Sequence, residues 1–469
     1  MGLWGQWCRC VQGLRPACRR TRTFGWLVLL LAGLSIRGDL AGVSSVIRAL
    51  GLKGAAYRRL LALCHSPALD LKRLTVCWTA LVWRLFTPLR LGGRRVLVGD
   101  GLKVAREGKK MPAVKKLHQS SQNNSKAEYI FGHSFQALGL LAQGPNGHLC
   151  CVPLSSRIHE GLVFSNRDRR TLLDKFVALF LGLAQGVDET LLLVVDAYYA
   201  SRKVLRPLLA RDHQVLTRLR SNAVAYQPAR RPRQPRRGRP RLYGRKVRLR
   251  ELWRRRRQQF CTAPSPVYGE QQVLIRYLAL DLLWRPLGRL VRFVLVEHPR
   301  RGRLMLMCTD LNLPPLEIIA GYGYRFKIEL AFKQALHTLG TYSYHFWMKA
   351  MAPRPTGNGN QYLHRASADY RRQVRRKIEA YHRYVQIGCI AQGLLQYLAL
   401  SFQANVWCSF GSWLRTMNPA LPPSEAVVAQ ALRHTLAEFL VACPTEAILA
   451  KFLLPQADPE RCPALPRAA

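Results

Sequence analysis

The sequence predicts an α/β fold: a mixed sheet flanked by helices, with a β-rich insertion, between all-α N- and C-terminal regions. Three observations predict it. Strand-length apolar runs alternate with helix-period segments between about residues 95 and 220. Three longer strand-like runs, Gln272–Trp284, Arg289–Glu297 and Arg303–Thr309, then follow without a helical pattern between them. Both ends of the chain carry helical periodicity alone.

Taken in order, residues 1 to about 90 read as helices. Val43–Gly54 followed by Tyr57–Cys64 has the form helix, glycine turn, helix, which suits a DNA-binding helix-turn-helix or an ordinary αα-hairpin. Phe24–Leu34 is apolar behind Arg19, Arg20 and Arg22, like a signal-peptide core. Arg37 and Asp39 end it too soon for a membrane span, and no small-residue cleavage pattern follows, so it reads as a buried first helix.

Arg95–Asp100, Glu128–Phe135 and Leu149–Leu154 read as strands. Leu172, Phe176, Leu179, Phe180 and Leu183 mark one face of a helix. Thr190–Asp196 is a strand apolar on both faces, Ser201–Arg211 a helix capped by Ser201, and Gln214–Leu219 the last strand of the series. Pro228–Arg257 carries fifteen Lys and Arg against one acid, Glu251, and reads as a basic linker. After Pro314 and Pro315 the chain turns helical; Asp369–Gln403 is a long helix with a basic face that includes Arg371, Arg372, Arg375, Arg376, Lys377 and Arg383. The division expected is 1–90, 91–221, 222–311 (basic linker and β insertion), 312–350 and 351–469.

Seventy-three Lys and Arg against 26 Asp and Glu give a net charge of +47. An excess spread through a chain that is 49% hydrophobic suits a folded protein with a polyanionic partner, nucleic acid by default, and argues against a metabolic enzyme. The 13 cysteines form no C-x-x-C pair, which argues against structural zinc and for free thiols in a reducing cytoplasm.

The chemistry centres on carboxylates. Tyr322, Arg325 and Glu329 fall at i, i+3 and i+7 of a predicted helix and so share a face. Asp100 and Asp196 each close an apolar strand, where acids can converge at one sheet edge. An Asp in such a place also serves as a turn former or helix cap, and Glu329 could pair with Arg325 or Lys333. Three carboxylates can hold two Mg²⁺ or Mn²⁺ ions for in-line displacement at phosphorus. Asp174, Asp188, Asp310 and Glu317 are the reserve acids, while His133 and Trp284 read as packing residues.

On Val98-Gly-Asp100 with Lys109-Lys110, Leu193-Val-Val-Asp196 and the Tyr322/Arg325/Glu329 helix, the chain resembles DDE transposases of bacterial insertion sequences. Their RNase-H-like domain carries a β-strand insertion and a final helix of pattern Y-x2-R-x3-E-x6-K. The family lysine falls at Leu336, a departure for which Lys333, one turn after Glu329, is the candidate substitute. The resemblance covers roughly residues 95–345, with 96 residues between the aspartates and 133 from Asp196 to Glu329.

The resemblance implies Asp100, Asp196 and Glu329 as catalytic metal ligands for Mg²⁺ (or Mn²⁺), with two ions. It also implies that Tyr322 and Arg325 hold phosphate or orient Glu329, and a homodimer or larger assembly on DNA; either Lys333 makes the phosphate contact of the family lysine or that contact is absent. Lys109 and Lys110 are candidate contacts to the scissile strand or a solvated loop. Arg237 and Arg239, in an Arg-Gly-Arg-Pro run, are candidate minor-groove contacts or part of a solvated linker. A cytoplasmic, nucleoid-associated enzyme acting on element ends and target DNA is expected, with no membrane and no organic cofactor. A non-catalytic DNA-binding descendant and a structure-selective nuclease are the competing readings.

Overall fold

The computed structural model describes residues 2–119, 127–229, 241–267, 269–443 and 447–460. Five helices open the chain: α1 (Leu3–Gln12), α2 (Thr21–Ile36), α3 (Ser44–Ala49), α4 (Ala56–His65) and α5 (Leu71–Leu85). The strands β1 (Thr87–Pro88), β2 (Arg90–Leu91), β3 (Arg94–Ala105), β4 (Lys115–His118), β5 (Tyr129–Gln143), β6 (Leu149–Ile158) and β7 (Leu162–Val163) follow. Next come α6 (Leu172–Ala184), β8 (Leu191–Val195), α7 (Arg202–Leu209) and β9 (Gln214–Arg218). The insertion holds β10 (Val224–Pro228), β11 (Tyr243–Arg248), α8 (Leu252–Arg255), β12 (Cys261–Pro264), β13 (Leu274–Trp284), β14 (Arg289–His298) and β15 (Gly302–Cys308). The chain closes with α9 (Pro315–Tyr324), α10 (Lys327–His337), β16 (Gln361–Tyr362), α11 (Ala368–Ser401), α12 (Gln403–Ser409), α13 (Glu425–Ala442) and α14 (Ile448–Leu453). Mixed α/β, with helical ends and in chain order three long strands, a helix, a strand, a helix and a strand, the fold is RNase-H-like.

The backbone forms two compact units, one of Met1–Thr87, Gly101–Arg169 and Ile328–Ala469, the other of Pro88–Asp100 and Arg170–Lys327. The first, a helical unit, is organised by α11, which packs against α2, α4, α5 and β6. Ser367 caps it by accepting from the Tyr370 N–H. Arg383, expected on the basic face, is instead 5% exposed. It donates to the backbone carbonyls of Leu69 and Cys64 and to Glu379, so its charge fixes the α4–α5 connection from inside the core. The apolar α2 is buried from Leu27 to Ile36. Among the described residues no single helix is long and apolar enough to cross a membrane, and every cysteine is a free thiol. β5 pairs antiparallel with β6 and β4 in this unit.

In the second unit, the sheet unit, β3, β8 and β9 are parallel neighbours. β9 then pairs antiparallel with β15, and β14, β13, β10 and β11 extend the sheet antiparallel strand by strand. The insertion therefore continues the sheet. In the stretch expected as a basic linker, the described residues 243–257 are structured, because β11 finds an edge partner in β10 and Leu249, Leu252 and Trp253 are buried behind it. β8 is buried at every position, as its unbroken apolar run demands. Thr171 and Asp174 form a capping box at the start of α6, worth about 1 kcal/mol.

Candidate active site

Register places the two aspartates. In the parallel β3/β8 pair, Val98 lies opposite Val194 and Gly99 opposite Val195. Asp100 and Asp196 are the next residues on neighbouring strands, which run about 4.8 Å apart. Asp196 opens a short 3₁₀ turn, Ala197–Tyr199, yet makes no side-chain cap bond. Asp100 with Gly101 forms no turn, because β3 runs on through both to Ala105; the strand is longer than the Arg95–Asp100 run predicts.

Helix α9 supplies the groups that meet them. It packs on β8, β9, β14 and β15. Gly321 permits this approach: a Cβ there would lie 2.6 Å from Leu91 Cδ1 and 3.1 Å from Leu216 Cδ2. Tyr322, one residue on, donates its hydroxyl to Asp196 Oδ1 at 3.2 Å. Arg325 donates from Nη1 to Asp100 Oδ2 at 2.6 Å and stacks over the Tyr322 ring at 5.8 Å. Burial pushes the Tyr322 hydroxyl up to about 12, with Asp196 adding to the effect against the pull of Arg325 and Arg218. Tyr322 therefore remains a proton donor throughout the neutral range. The Thr217 hydroxyl donates to the backbone carbonyl of Asp196 at 3.0 Å, tying β9 to the same corner.

Glu329 stands differently. The predicted single helix is broken: α9 ends at Tyr324, Arg325 caps it, and α10 starts at Lys327. Glu329 is exposed in the first turn of α10 and belongs to the helical unit, as does exposed Lys333. Leu336, where the family lysine falls, packs against a buried cluster of Val104, Phe135, Ala335, Tyr342, Val385 and Cys389. Lys109 is exposed and Lys110 half-buried, on a loop whose carbonyls accept from Arg354 and Met348 N–H groups. Arg237 and Arg239 lie outside the described residues.

Three of the four reserve acids, all but Asp188, have structural partners. Asp174 caps α6, Asp310 pairs with Arg94, and Glu317 accepts from the Gly92 N–H at 3.3 Å. His133 and Trp284 are buried, as expected of packing residues. Sequence reasoning passed over Thr217, Arg218 and Gly321. Arg218 could have been found by the signal that marked Asp196, a polar residue closing an apolar parallel strand.

Among the described residues no group of three or more His, Cys, Asp or Glu side chains lies close enough to hold a metal ion. Asp100 and Asp196 provide hard oxygen donors without competing sulfur or imidazole, a donor set that fits Mg²⁺ or Mn²⁺.

Residues 166–270 match the family described as DDE superfamily endonuclease. The matched stretch contains Asp196 and Arg218 and ends before Tyr322. No curated protein matches the chain. That match, the RNase-H-like sheet and the neighbouring placement of the two aspartates together support a DDE-type, transposase-like nuclease.

Proposed function

We propose that the protein is a transposase that cleaves DNA strands at the ends of its element and joins the freed 3′-hydroxyls to target DNA. The observation that carries this reading is that Asp100 and Asp196 each follow directly on the paired Gly99 and Val195, and each accepts from a donor at the end of one helix, Arg325 and Tyr322. Asp100, Asp196 and Glu329 are the proposed ligands of a divalent cation, Mg²⁺ or Mn²⁺, most simply as two ions. Such ions supply Lewis acidity, making a water or 3′-hydroxyl nucleophilic and neutralising charge at phosphorus.

The protein groups position this chemistry. Tyr322, staying protonated, orients Asp196 by donating its hydroxyl to Oδ1. Arg325 holds Asp100 and brings a cationic guanidinium to the sheet edge, where a phosphate oxygen would lie. In cleavage, a water oxygen bonds to phosphorus while the bond to the 3′-oxygen breaks. Joining repeats the exchange with the 3′-hydroxyl as nucleophile. Lys333, Lys109, Lys110, Arg237 and Arg239 are proposed DNA contacts, and a dimer or higher assembly would bring two ends together in a cytoplasmic, nucleoid-associated complex.

One observation favours a second reading, a non-catalytic DNA binder. The Arg325 guanidinium occupies one oxygen of Asp100, so a cation would have to share that carboxylate or displace the arginine. The deciding experiment incubates full-length protein with linear DNA carrying the sequences that flank its coding segment, in Mg²⁺ or in EDTA. Nicking in Mg²⁺ that is lost in Asp196→Ala, with DNA binding retained, supports the transposase. Binding without any nicking in wild type supports the binder.

A further inference from the structure

Besides the aspartate corner, the sheet unit contains a basic cavity of about 520 Å³. It lies between the end of β9 and the segment around α8, lined by Arg218, Arg250, Arg254, Arg303, Trp253 and Glu251 among others. Its size falls in the ligand-cleft range of roughly 300–1,000 Å³, and four arginines join the apolar Leu219, Trp253 and Met305 in its lining. All four arginines are exposed. The acid is already committed: Glu251 pairs with Arg248 at 3.2 Å and with Arg255 at 3.0 Å. Arg303 pairs with Glu297 and lies over the Trp253 ring at 5.5 Å. Among the described residues Arg218, Arg250 and Arg254 form no ion pair.

Around this concavity the arginines outnumber the one acid, Glu251, which is already paired with Arg248 and Arg255, so their guanidinium groups repel each other unless an anion joins them. The cavity also adjoins the aspartate corner. Arg218 closes β9, next to Thr217, which holds the Asp196 carbonyl, and its charge acts on the Tyr322 hydroxyl. A strand threading from the aspartates along the end of β9 would meet Arg218 first and then Arg250 and Arg254.

We propose that this cavity grips the phosphodiester backbone of the DNA strand that leaves the aspartate pair, with Arg218, Arg250 and Arg254 as the phosphate-contacting residues. The proposal rests on the nuclease reading only for the identity of the polyanion. Guanidinium groups favour phosphate oxygens because their N–H forks match them bidentately, so lysine would be a poorer substitute.

The test is DNA binding by the full-length protein in EDTA, where no cleavage can occur, read by anisotropy of a labelled duplex across a salt series. Arg250→Gln/Arg254→Gln should weaken binding about tenfold or more and reduce the slope of log K against log salt by roughly 2, since each lost phosphate contact removes about 0.9. Arg250→Lys/Arg254→Lys should keep the slope yet lose part of the affinity. Arg211→Gln/Arg415→Gln, two exposed arginines outside the cavity, should change little. Circular dichroism checks that each variant folds. An unchanged slope and affinity in the folded Gln pair overturns the proposal. Failure of the nuclease reading shows separately, as absence of Mg²⁺-dependent nicking whatever the salt slope. Competition by millimolar inorganic phosphate as effective as that by duplex DNA would also overturn it, pointing to a small-anion site.

Discussion

Arg325 donates to Asp100 over 2.6 Å, between groups only 16% and 23% exposed, and so joins the end of α9 to the strand β3. A half-buried carboxylate facing a guanidinium is a charge-assisted bond of the stronger kind. Arg325→Ala leaves Asp100 without this partner. Cleavage is expected to fall about 10²–10³-fold, the usual loss for a preorganised donor aimed at developing charge. Arg325→Lys should recover little, because an ammonium cannot reproduce the planar fork. Nicking rates at saturating DNA decide it; wild-type rates in both variants would remove Arg325 from the site.

Tyr322→Phe deletes the hydroxyl that donates to Asp196 and keeps the ring under Arg325. The expected result is about a tenfold slower cleavage with nearly unchanged melting temperature, in line with about 1 kcal/mol for one hydrogen bond. Since the hydroxyl titrates only at about 12, wild type and variant should show parallel pH–rate profiles between about pH 6 and 10. A limb in this range present only in wild type would contradict the assigned protonation state.

The close approach of α9 depends on Gly321, whose added methyl would meet Leu91 and Leu216 inside contact distance. Both are buried, with little room to retreat. Gly321→Ala is expected to cost about 1–3 kcal/mol through overpacking, despite alanine's better helix propensity. Cleavage should fall more than stability, because the shift displaces Tyr322 and Arg325 together. A variant with raised stability and intact nicking would show that the helix does not position them.

How much of this was legible beforehand follows from the kind of signal involved. β8 was visible because strands buried on both faces must be apolar throughout, and Asp196 stood out as the polar residue ending such a run. The neighbouring register of Asp100 was not readable, because pairing 96 residues apart leaves no local trace. The α9–α10 break was missed because Tyr322–Phe332 has helical spacing on either side and no proline or capping residue to mark the interruption. The fold of the basic stretch escaped notice because charge dominates its composition, while three apolar residues, Leu249, Leu252 and Trp253, anchor it. Arg383 looked like surface charge since sequence cannot reveal that two backbone carbonyls await it.

Leu336 also tests the family comparison. Placing the family's lysine there, Leu336→Lys, puts an ammonium stem against the apolar Val104/Phe135/Tyr342 cluster. Because Leu336 is only partly buried, the stem can reach outward, so the expected destabilisation is about 1–3 kcal/mol rather than unfolding. Leu336→Met should be nearly neutral. Denaturant midpoints check the order Leu, Met, then Lys; a lysine variant as stable as wild type and binding DNA more tightly would mean that the position is a vacant phosphate contact.

The helical unit should lose stability in acid, and His133 fixes the window. It is fully buried: Nδ1 accepts from Arg106 Nε at 3.0 Å, and Nε2–H donates to the Pro112 carbonyl at 2.9 Å. Burial, with the Arg106 charge close by, lowers its pKa to about 3. Among the described residues the charged and titratable groups that act on it or touch it include Arg106, His345, His382 and Tyr381, whose ring centroid lies 4.9 Å away. The unfolded histidine takes up a proton below its ordinary value of about 6.5 while the folded one stays neutral. The unfolded state then binds more protons, so stability is complete above about pH 6.5 and declines as pH falls toward 3. The slope from this one residue approaches 1.4 kcal/mol per pH unit. His382 is held well below its ordinary value by burial and adds to the same trend. Carboxylates titrate in the lower part of the window, so the variant, not the slope alone, isolates the histidine. His133→Gln should lower stability at pH 7.5 and flatten the dependence between pH 6.5 and 5, measured as melting temperature at constant ionic strength. Identical slopes in wild type and variant would show that the proton uptake belongs to other groups.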